Sequence, residues 1–177
     1  HLMLDGLAQA IEDSKYKIGE DFQVISISID KNETNKNLRN YKKKYHDQLG
    51  INNGWKFLKG TKNQISNISD FFGYQFKYIK RTNDYAHPSL IYFYNQNLSN
   101  YIEGVTFNQK AFDYALLNLK TDKSITEKIV TYCYYFDPKT QTYSLLILNI
   151  LKLLCLLTVL ILFIMIIYFI YKERKLK

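Results

Sequence analysis

The chain has 177 residues, of which 47% are hydrophobic and 16% aromatic. This is enough apolar material for one domain of ordinary size with a packed core, and it excludes a disordered chain. The formal net charge is +8, but residues 143–177 hold five basic residues and one acidic residue, so the remainder is only weakly basic. Because no arginine-rich patch or aromatic RNA-binding motif accompanies this charge, it does not indicate nucleic-acid binding.

The chain opens on a helical pattern. In HLMLDGLAQAIED, apolar residues recur at helical spacing, at Leu2, Leu4, Leu7, Ala8 and Ile11. The first residue is not Met, and the opening residues show neither a basic region nor an apolar signal-peptide core. We therefore expect the sequence to be a piece of a polypeptide that begins further upstream.

A strand and a basic helix are predicted next. FQVISISID, residues 22–30, is rich in β-branched residues and short enough for a buried strand. In the following NETNKNLRNYKKKYHDQLG, either Asn32 or Thr34 is the predicted N-cap, and Gly50 is the predicted stop. His46 is expected to be solvated. The residues expected to face inward are Leu38, Tyr41 and Tyr45.

The segments up to residue 120 continue this alternation. WKFLKG predicts a short strand, and NQISNISDFFG predicts a helix. YQFKYI, SLIYFYN and NYIEGV predict three more strands, and NQKAFDYALLNLK predicts a closing amphipathic helix. The order α-β-α-β-α-β-β-β-α predicts an α/β fold, a sandwich of three layers with helices around a central sheet. In the NQISNISDFFG helix, the residues expected to face inward are Ile65, Ile68, Phe71 and Phe72.

The C-terminal region contains a long apolar run. Residues 153–171, LLCLLTVLILFIMIIYFIY, are nineteen residues without a charge. About 20 apolar residues are needed to cross a bilayer as a helix, so this run predicts one transmembrane helix. The basic segment KERKLK follows it, and basic flanks favour the cytoplasmic side. We therefore expect the preceding domain to lie on the opposite side, in a periplasm or its equivalent.

Four segments in series, VISISID, GWKFLKG, YAHPSLIYF and NYIEGVTF, resemble the Sco/SenC family. Its members are thioredoxin-fold copper chaperones associated with cytochrome c oxidase assembly. Together with the apolar run, the resemblance predicts a four-part organisation. The parts are a thioredoxin-like domain over residues 1–120, a juxtamembrane linker over 121–142, a transmembrane helix over 143–172 and a basic cytoplasmic tail over 173–177.

The resemblance also implies a copper site. The family binds copper through two cysteines of a CxxxC motif at the start of the first helix and one distant histidine, and His87 matches that histidine by its context. The motif is absent from the chain, and we expect it immediately upstream of His1. Copper, as Cu(I) or Cu(II), would then be held only with those missing cysteines. From its residues alone, His87 is better explained as a hydrogen-bonded loop histidine than as a ligand, and the family resemblance reverses this order. Asp84 is either a carboxylate that orients His87 or an exposed turn acid.

The two cysteines present do not replace the motif. Cys133 and Cys155 are twenty-two positions apart, which is neither a chelating nor a redox-motif spacing. Cys155 is expected to act as a small apolar residue within the membrane. Cys133 is expected to be an inert juxtamembrane thiol, with a disulfide to a partner as the alternative.

Three functions remain open from the sequence. The first is a membrane-anchored copper chaperone of the cytoplasmic membrane, a metallochaperone rather than an enzyme. Its partners would be the copper-centre subunit of cytochrome c oxidase, or another copper donor or acceptor, and the lipid bilayer. The second is an extracytoplasmic thiol–disulfide oxidoreductase or redox sensor on the same fold, and the third is a non-catalytic thioredoxin-like adaptor. His87 favours the first over the second, because disulfide exchange needs thiols but no distant imidazole.

Overall fold

The structure is a computed structural model that describes residues 2–96, 98–137 and 142–176. The chain divides into two compact units. The first is His1–Thr121 together with Asp137–Thr142, and the second is Asp122–Phe136 together with Tyr143–Lys177.

The first unit alternates helices and strands, as the sequence predicts. Its elements are α1 (Leu2–Asp13), β1 (Val24–Ser28), α2 (Asn35–Leu49), β2 (Trp55–Lys59), α3 (Lys62–Phe72), β3 (Lys77–Ile79), β4 (Asp84–Ala86), β5 (Leu90–Asn95), β6 (Leu98–Glu103) and α4 (Gln109–Leu119). The sequence pattern did not predict β4. A strand of three residues is too short to show a clear period of two.

The ends of α2 and α3 follow from local sequence. Thr34, rather than Asn32, is the N-cap of α2, and its side chain accepts a hydrogen bond from the Asn37 N–H. Thr61 caps α3 in a reciprocal arrangement with Gln64. Both helices end on a glycine in the left-handed region, at φ 64° for Gly50 and φ 65° for Gly73.

The strands of this unit pair in twos. β1 and β2 are parallel, with Val24 opposite Trp55, and α2 is the crossover between them. β3 pairs with β4, and β5 pairs with β6, both antiparallel. The predicted α/β class is confirmed. The predicted single central sheet is not seen among the described residues, where the hydrogen-bonded ladders remain small and separate.

A large cavity is lined by strands from two of these sheets. It has a volume of about 1010 Å³ and is lined by residues of both β1 and β5, and we call it the β1–β5 cavity. Among the described residues, β1 pairs only with β2 and β5 only with β6, so each strand has one edge unpaired. Side chains of four helices complete the lining, including Leu7 of α1, Leu38 of α2, Ile65 of α3 and Phe112 of α4. The cavity therefore combines two open backbone edges with apolar walls.

Helix α1 approaches the chain after β6 very closely. It buries Leu7, Ala8 and Ile11, as its sequence predicts. A Cβ atom placed on Gly6 would overlap the backbone carbonyl of Val105. Position 6 therefore has no room for a side chain, and this is the reason for a glycine inside a helix, where it otherwise costs about 1 kcal/mol relative to alanine.

The core around α2 and β2 is aromatic. Tyr45 and Trp55 stack with ring centroids 5.0 Å apart, and Phe57 stacks on Trp55 at 5.1 Å. The Tyr45 hydroxyl donates to Asp5 Oδ1 at 2.9 Å, and Lys44 Nζ lies 2.5 Å from the same oxygen. These hydrogen bonds, first that from Lys44, lower the pKa of Asp5 below its usual value. This contact joins α1 to α2.

The prediction that His46 is solvated is wrong. Its side chain is buried, and its Nε2 lies 2.9 Å from the carbonyl oxygen of Trp55. Because a carbonyl oxygen can only accept, Nε2 carries the proton in this bond. The lysine run before His46 suggested a solvated helix face, but docking of β2 against the last turns of α2 covers this position.

Two residues predicted to face inward, Ile68 and Phe71, are exposed, and so is Leu2 at the start of the apolar stripe of α1. Leu2 is the first residue of α1, and the buried residues of this helix begin only at Leu7. Ile68 lines the β1–β5 cavity, which is why it stays accessible. Phe71 makes T-shaped ring contacts with Phe72 and Tyr94 at centroid distances of 4.9 and 5.6 Å.

The second unit carries the long apolar helix. It contains α5 (Ile125–Cys133), which starts with a capping box of Ser124 and Glu127. It also contains the strand pair β7 (Tyr134–Asp137) and β8 (Thr142–Leu145), except for the end residues Asp137 and Thr142. Helix α6 runs over Ile147–Leu176 and starts four residues after the predicted boundary at 143. Within its stretch Asn149–Lys172, the most apolar window of 18 residues has a mean hydropathy of 3.2, and none of that window is buried. Twenty-four helical residues extend about 36 Å, which is long enough for a bilayer core of about 30 Å.

Candidate functional site

His87 lies in a three-residue connection between two strand pairs. β4 ends at Ala86 and is held by β3, with Ala86 opposite Lys77, while β5 begins at Leu90 and is held by β6. Within the connection, the Ser89 carbonyl accepts a hydrogen bond from the Gly104 N–H at 2.9 Å. The His87–Pro88 peptide bond is trans. Pro88 fixes its own φ and restricts His87 to extended backbone, so the loop is anchored on both sides and stiffened in the middle.

The imidazole of His87 is held by two oxygen atoms. Its Nδ1 lies 2.9 Å from the Tyr74 hydroxyl oxygen and 3.1 Å from the Pro88 carbonyl oxygen. The Tyr74 hydroxyl also donates to the Pro88 carbonyl at 3.0 Å. His87 itself is exposed and lines the β1–β5 cavity. In the part of the chain that the structure describes, Nε2 of His87 has no hydrogen bond.

Tyr74 belongs to this site although no sequence pattern indicated it. It follows Gly73, the left-handed cap of α3, and its N–H donates to the Ser69 carbonyl at 2.8 Å. Its ring also lies against Phe76 and Tyr92, each at a centroid distance of 6.3 Å. The position of Tyr74 is therefore set by the end of α3 and by aromatic packing. No motif in the sequence connects it to a histidine thirteen residues later.

The environment of Tyr74 keeps its hydroxyl protonated. Burial raises the pKa of Tyr74 above its usual value, and the neighbouring Tyr92 adds to this shift. A tyrosine whose pKa is raised from about 10 stays neutral throughout the physiological range. The hydroxyl therefore donates one hydrogen bond and can accept another.

Asp84 does not orient His87 in this structure. It is exposed, and its Oδ1 accepts a hydrogen bond from the Tyr85 N–H at 2.7 Å. No hydrogen bond between Asp84 and His87 occurs among the described residues. Of the two roles considered for Asp84, its position is that of an exposed acid, and the partner of the imidazole is Tyr74 instead.

The remaining histidine and cysteine candidates belong to the second unit or lie outside the described residues. His1 is outside the described residues. Cys133 is the last residue of α5, and its side chain is not among those described. Cys155 is a free, exposed cysteine in α6, whose carbonyl accepts a hydrogen bond from the Thr158 hydroxyl at 2.8 Å.

The sequence profile of one protein family covers most of the first unit. Residues 1–113, more than half of the chain, match SCO1/SenC. The chain belongs to the SCO1/SenC family. Among solved structures, it is similar to that of a "putative electron transfer protein from Aquifex aeolicus VF5", with 26% identity, a TM-score of 0.59, and coverage of 71% of this chain and 72% of that one. No curated protein matches the chain in sequence.

SCO1/SenC membership supports a thioredoxin-like, copper-binding or redox role, so the donor atoms near His87 matter. The residues that the structure describes contain no group of three or more His, Cys, Asp or Glu side chains that could hold a metal ion. The His87 imidazole fits the role of one metal ligand. Metal-bound imidazoles usually engage their second nitrogen in a hydrogen bond, as Nδ1 of His87 does. One imidazole does not form a tight copper site, so the described residues supply only part of a donor set.

Proposed function

We propose that this SCO1/SenC protein is a membrane-anchored copper chaperone that delivers copper for cytochrome c oxidase assembly. In this proposal, His87 is the third ligand, and the two thiolates come from a CxxxC segment immediately upstream of His1. The acceptor is the copper-centre subunit of the oxidase or another copper donor or acceptor. Two thiolates and one imidazole suit both Cu(I) and Cu(II), which a carrier between redox compartments has to accommodate.

One observation carries the proposal. Met3 and Leu4, in the first turn of α1, line the same β1–β5 cavity as His87. Cysteines placed just ahead of α1 would therefore enter at the cavity that the imidazole also borders. A helix N-terminus lowers the pKa of a nearby thiol and so favours the thiolate that binds metal.

The proposal is tested by copper stoichiometry. A longer polypeptide that carries CxxxC ahead of residue 1 is expected to bind one copper ion per chain. Replacing both of those cysteines with serine is expected to abolish tight binding, and residues 1–177 alone are expected to behave like that variant. The measurement is metal content after dialysis against a competing chelator. Equal copper content in residues 1–177 alone would contradict the role of the upstream thiolates.

The second candidate is a thiol–disulfide oxidoreductase or redox sensor on the same fold. The similarity to the Aquifex protein described as an electron transfer protein favours it. It uses the same two upstream thiols but does not need His87. An adaptor without chemistry would follow if the longer polypeptide lacks the two cysteines.

We also propose a domain organisation and a membrane orientation for the chain. We place residues 1–120 as the domain, 121–142 as the linker, 143–172 as the membrane segment and 173–177 as a cytoplasmic tail, in the inner membrane with the domain in the periplasm. The span Asn149–Lys172 supports a single-pass anchor, and the basic residues after it favour the cytoplasmic side for the C-terminus.

Cysteine labelling tests this orientation. In a variant with Cys133 and Cys155 replaced by serine, single cysteines are introduced as Lys120→Cys or Leu176→Cys. The cysteine at 120 is expected to react with a membrane-impermeant maleimide in intact cells. The cysteine at 176 is expected to react only after the membrane is opened. The opposite labelling pattern would show that the orientation is reversed and that the domain does not lie in the periplasm.

A further inference from the structure

Three polar atoms around His87 lie within hydrogen-bond distance of one another. Tyr74 Oη, His87 Nδ1 and the Pro88 carbonyl oxygen form a triangle with sides of 2.9, 3.0 and 3.1 Å. Each of these atoms has a fixed capacity to donate or accept hydrogen bonds. The carbonyl oxygen can only accept, the hydroxyl donates one hydrogen and accepts others, and Nδ1 either donates or accepts according to the tautomer.

Only one tautomer satisfies all three contacts. If Nδ1 carried no hydrogen, its lone pair would face the lone pairs of the Pro88 oxygen at 3.1 Å, which is a repulsive contact. If Nδ1 carries the hydrogen, it donates to the Tyr74 oxygen and to the Pro88 oxygen in a shared bond. The Tyr74 hydroxyl remains free to donate its own hydrogen to Pro88 at 3.0 Å. Every polar atom of the triangle then has a partner of the correct kind.

We propose that Tyr74 and the Pro88 carbonyl hold neutral His87 as the Nδ1–H tautomer, which leaves the unshared electron pair on Nε2. Tyr74 is then a positioning residue for His87, since it acts on the imidazole and not on a ligand. The consequence for metal binding rests on the proposed function, in which Nε2 is the copper donor. Residues that hold the far nitrogen of a ligating histidine typically change metal affinity about 10–100-fold when replaced.

The fold supplies the rigidity that this role needs. Tyr74 is fixed by the end of α3 and by its ring contacts with Phe76 and Tyr92. Pro88 removes backbone freedom at the other side of the triangle. His87 is exposed, so without the two oxygen partners its ring would rotate and exchange tautomers freely. The triangle therefore orders an otherwise unrestrained surface imidazole.

The direct test is the nitrogen NMR spectrum of the metal-free protein at a pH where His87 is neutral. Two-bond hydrogen–nitrogen correlations distinguish a protonated ring nitrogen from an unprotonated one, and loss of signals in His87→Ala assigns them among the three histidines. In the wild type, Nδ1 is expected to be the protonated nitrogen and Nε2 the unprotonated one. A wild-type spectrum with the proton on Nε2 would overturn the proposal whether or not any variant folds.

Tyr74→Phe tests the part played by the hydroxyl. The variant keeps the ring packing of residue 74 but loses the hydroxyl that bonds Nδ1 of His87. The population of the Nε2–H tautomer of His87 is therefore expected to rise. Tyr92→Phe is the matched control, because it removes a hydroxyl from the same aromatic group without a described bond to His87, and its His87 signals are expected to stay unchanged. A Tyr74→Phe spectrum identical to that of the wild type would show that Tyr74 does not position the ring.

Copper titration separates this inference from the proposed function. In the polypeptide with CxxxC, Tyr74→Phe is expected to weaken Cu(II) binding about tenfold, at the lower end of the usual effect of such partners. If the tautomer shifts and copper affinity does not, the positioning role stands and Nε2 is not a copper donor. If neither changes, the positioning role itself is rejected.

Discussion

Replacement of His87 by alanine, in a polypeptide that carries the CxxxC pair, is expected to weaken Cu(II) binding about 100-fold or more. Loss of a partner that merely orients a ligating histidine costs about 10–100-fold, so loss of the ligand itself should reach the upper end. Cu(I) binding should suffer less, because two thiolates satisfy a linear site for a soft ion. Thiol–disulfide exchange should survive, since both thiols remain.

The fold is expected to tolerate this substitution. His87 is exposed, and its described hydrogen bonds involve only Tyr74 and Pro88, which keep a hydrogen bond to each other. His46→Gln is the matched control, because it removes a different imidazole, one that is buried against the Trp55 carbonyl. This control should lower stability and leave copper affinity unchanged. Equal Cu(II) affinity in His87→Ala and wild type would make His87 an ordinary loop residue and favour the redox function.

The isolated segment of residues 1–142 is expected to be only partly soluble and to unfold over a broad temperature range. The reason is the β1–β5 cavity, which leaves one edge of each strand unpaired and apolar side chains such as Ile25 accessible. Open strand edges promote association, and unfilled apolar space lowers the free energy of unfolding. The measurement is thermal unfolding followed by circular dichroism and calorimetry. A sharp two-state transition would show that nothing structural is lacking.

A gain-of-stability experiment tests the same reasoning. An added extended segment of five apolar residues, joined ahead of residue 1 by a short linker, should pair with the open edges. Five buried side chains contribute about 1.5–3 kcal/mol each, and ordering costs about 1.5 kcal/mol per residue, which leaves a gain of a few kcal/mol. The midpoint temperature of thermal unfolding should then rise on the order of 10 °C. The control extension carries prolines, which cannot complete a ladder, and should give no rise.

The sequence predicted those parts of the structure that depend on neighbours in the chain. Gly50 was predicted as the stop of α2, and Thr34 was one of two predicted N-caps, because caps act within one turn of a helix and depend on local pattern. Burial of His46 could not be predicted, because it depends on where β2 docks against α2. The run of lysines before it indicated solvent, and tertiary packing decided otherwise.

At the candidate site, too, local sequence indicated one residue and tertiary packing decided the other. His87 was identified from the residues around it and from the family resemblance, and its role as a ligand is still a prediction. Its partner Tyr74 comes from another element, placed by a helix end and by ring packing, and no spacing rule links the two. Asp84 is near His87 in sequence and is a common type of partner for a ligating histidine. Its carboxylate instead accepts a hydrogen bond from the Tyr85 N–H. Proximity in sequence was a poor guide here because the polar contact crosses between elements.

The close approach of α1 to Val105 has a consequence for variation among natural copies of this protein. Any side chain at position 6 would meet the Val105 carbonyl, so either α1 or the segment after β6 would have to move. Because Met3 and Leu4 of α1 line the cavity that His87 borders, such a movement would be transmitted to the mouth of the candidate site. Position 6 should therefore be intolerant of substitution even though it carries no reactive group. Under the proposed function, a change there is expected to alter copper affinity although position 6 supplies no ligand.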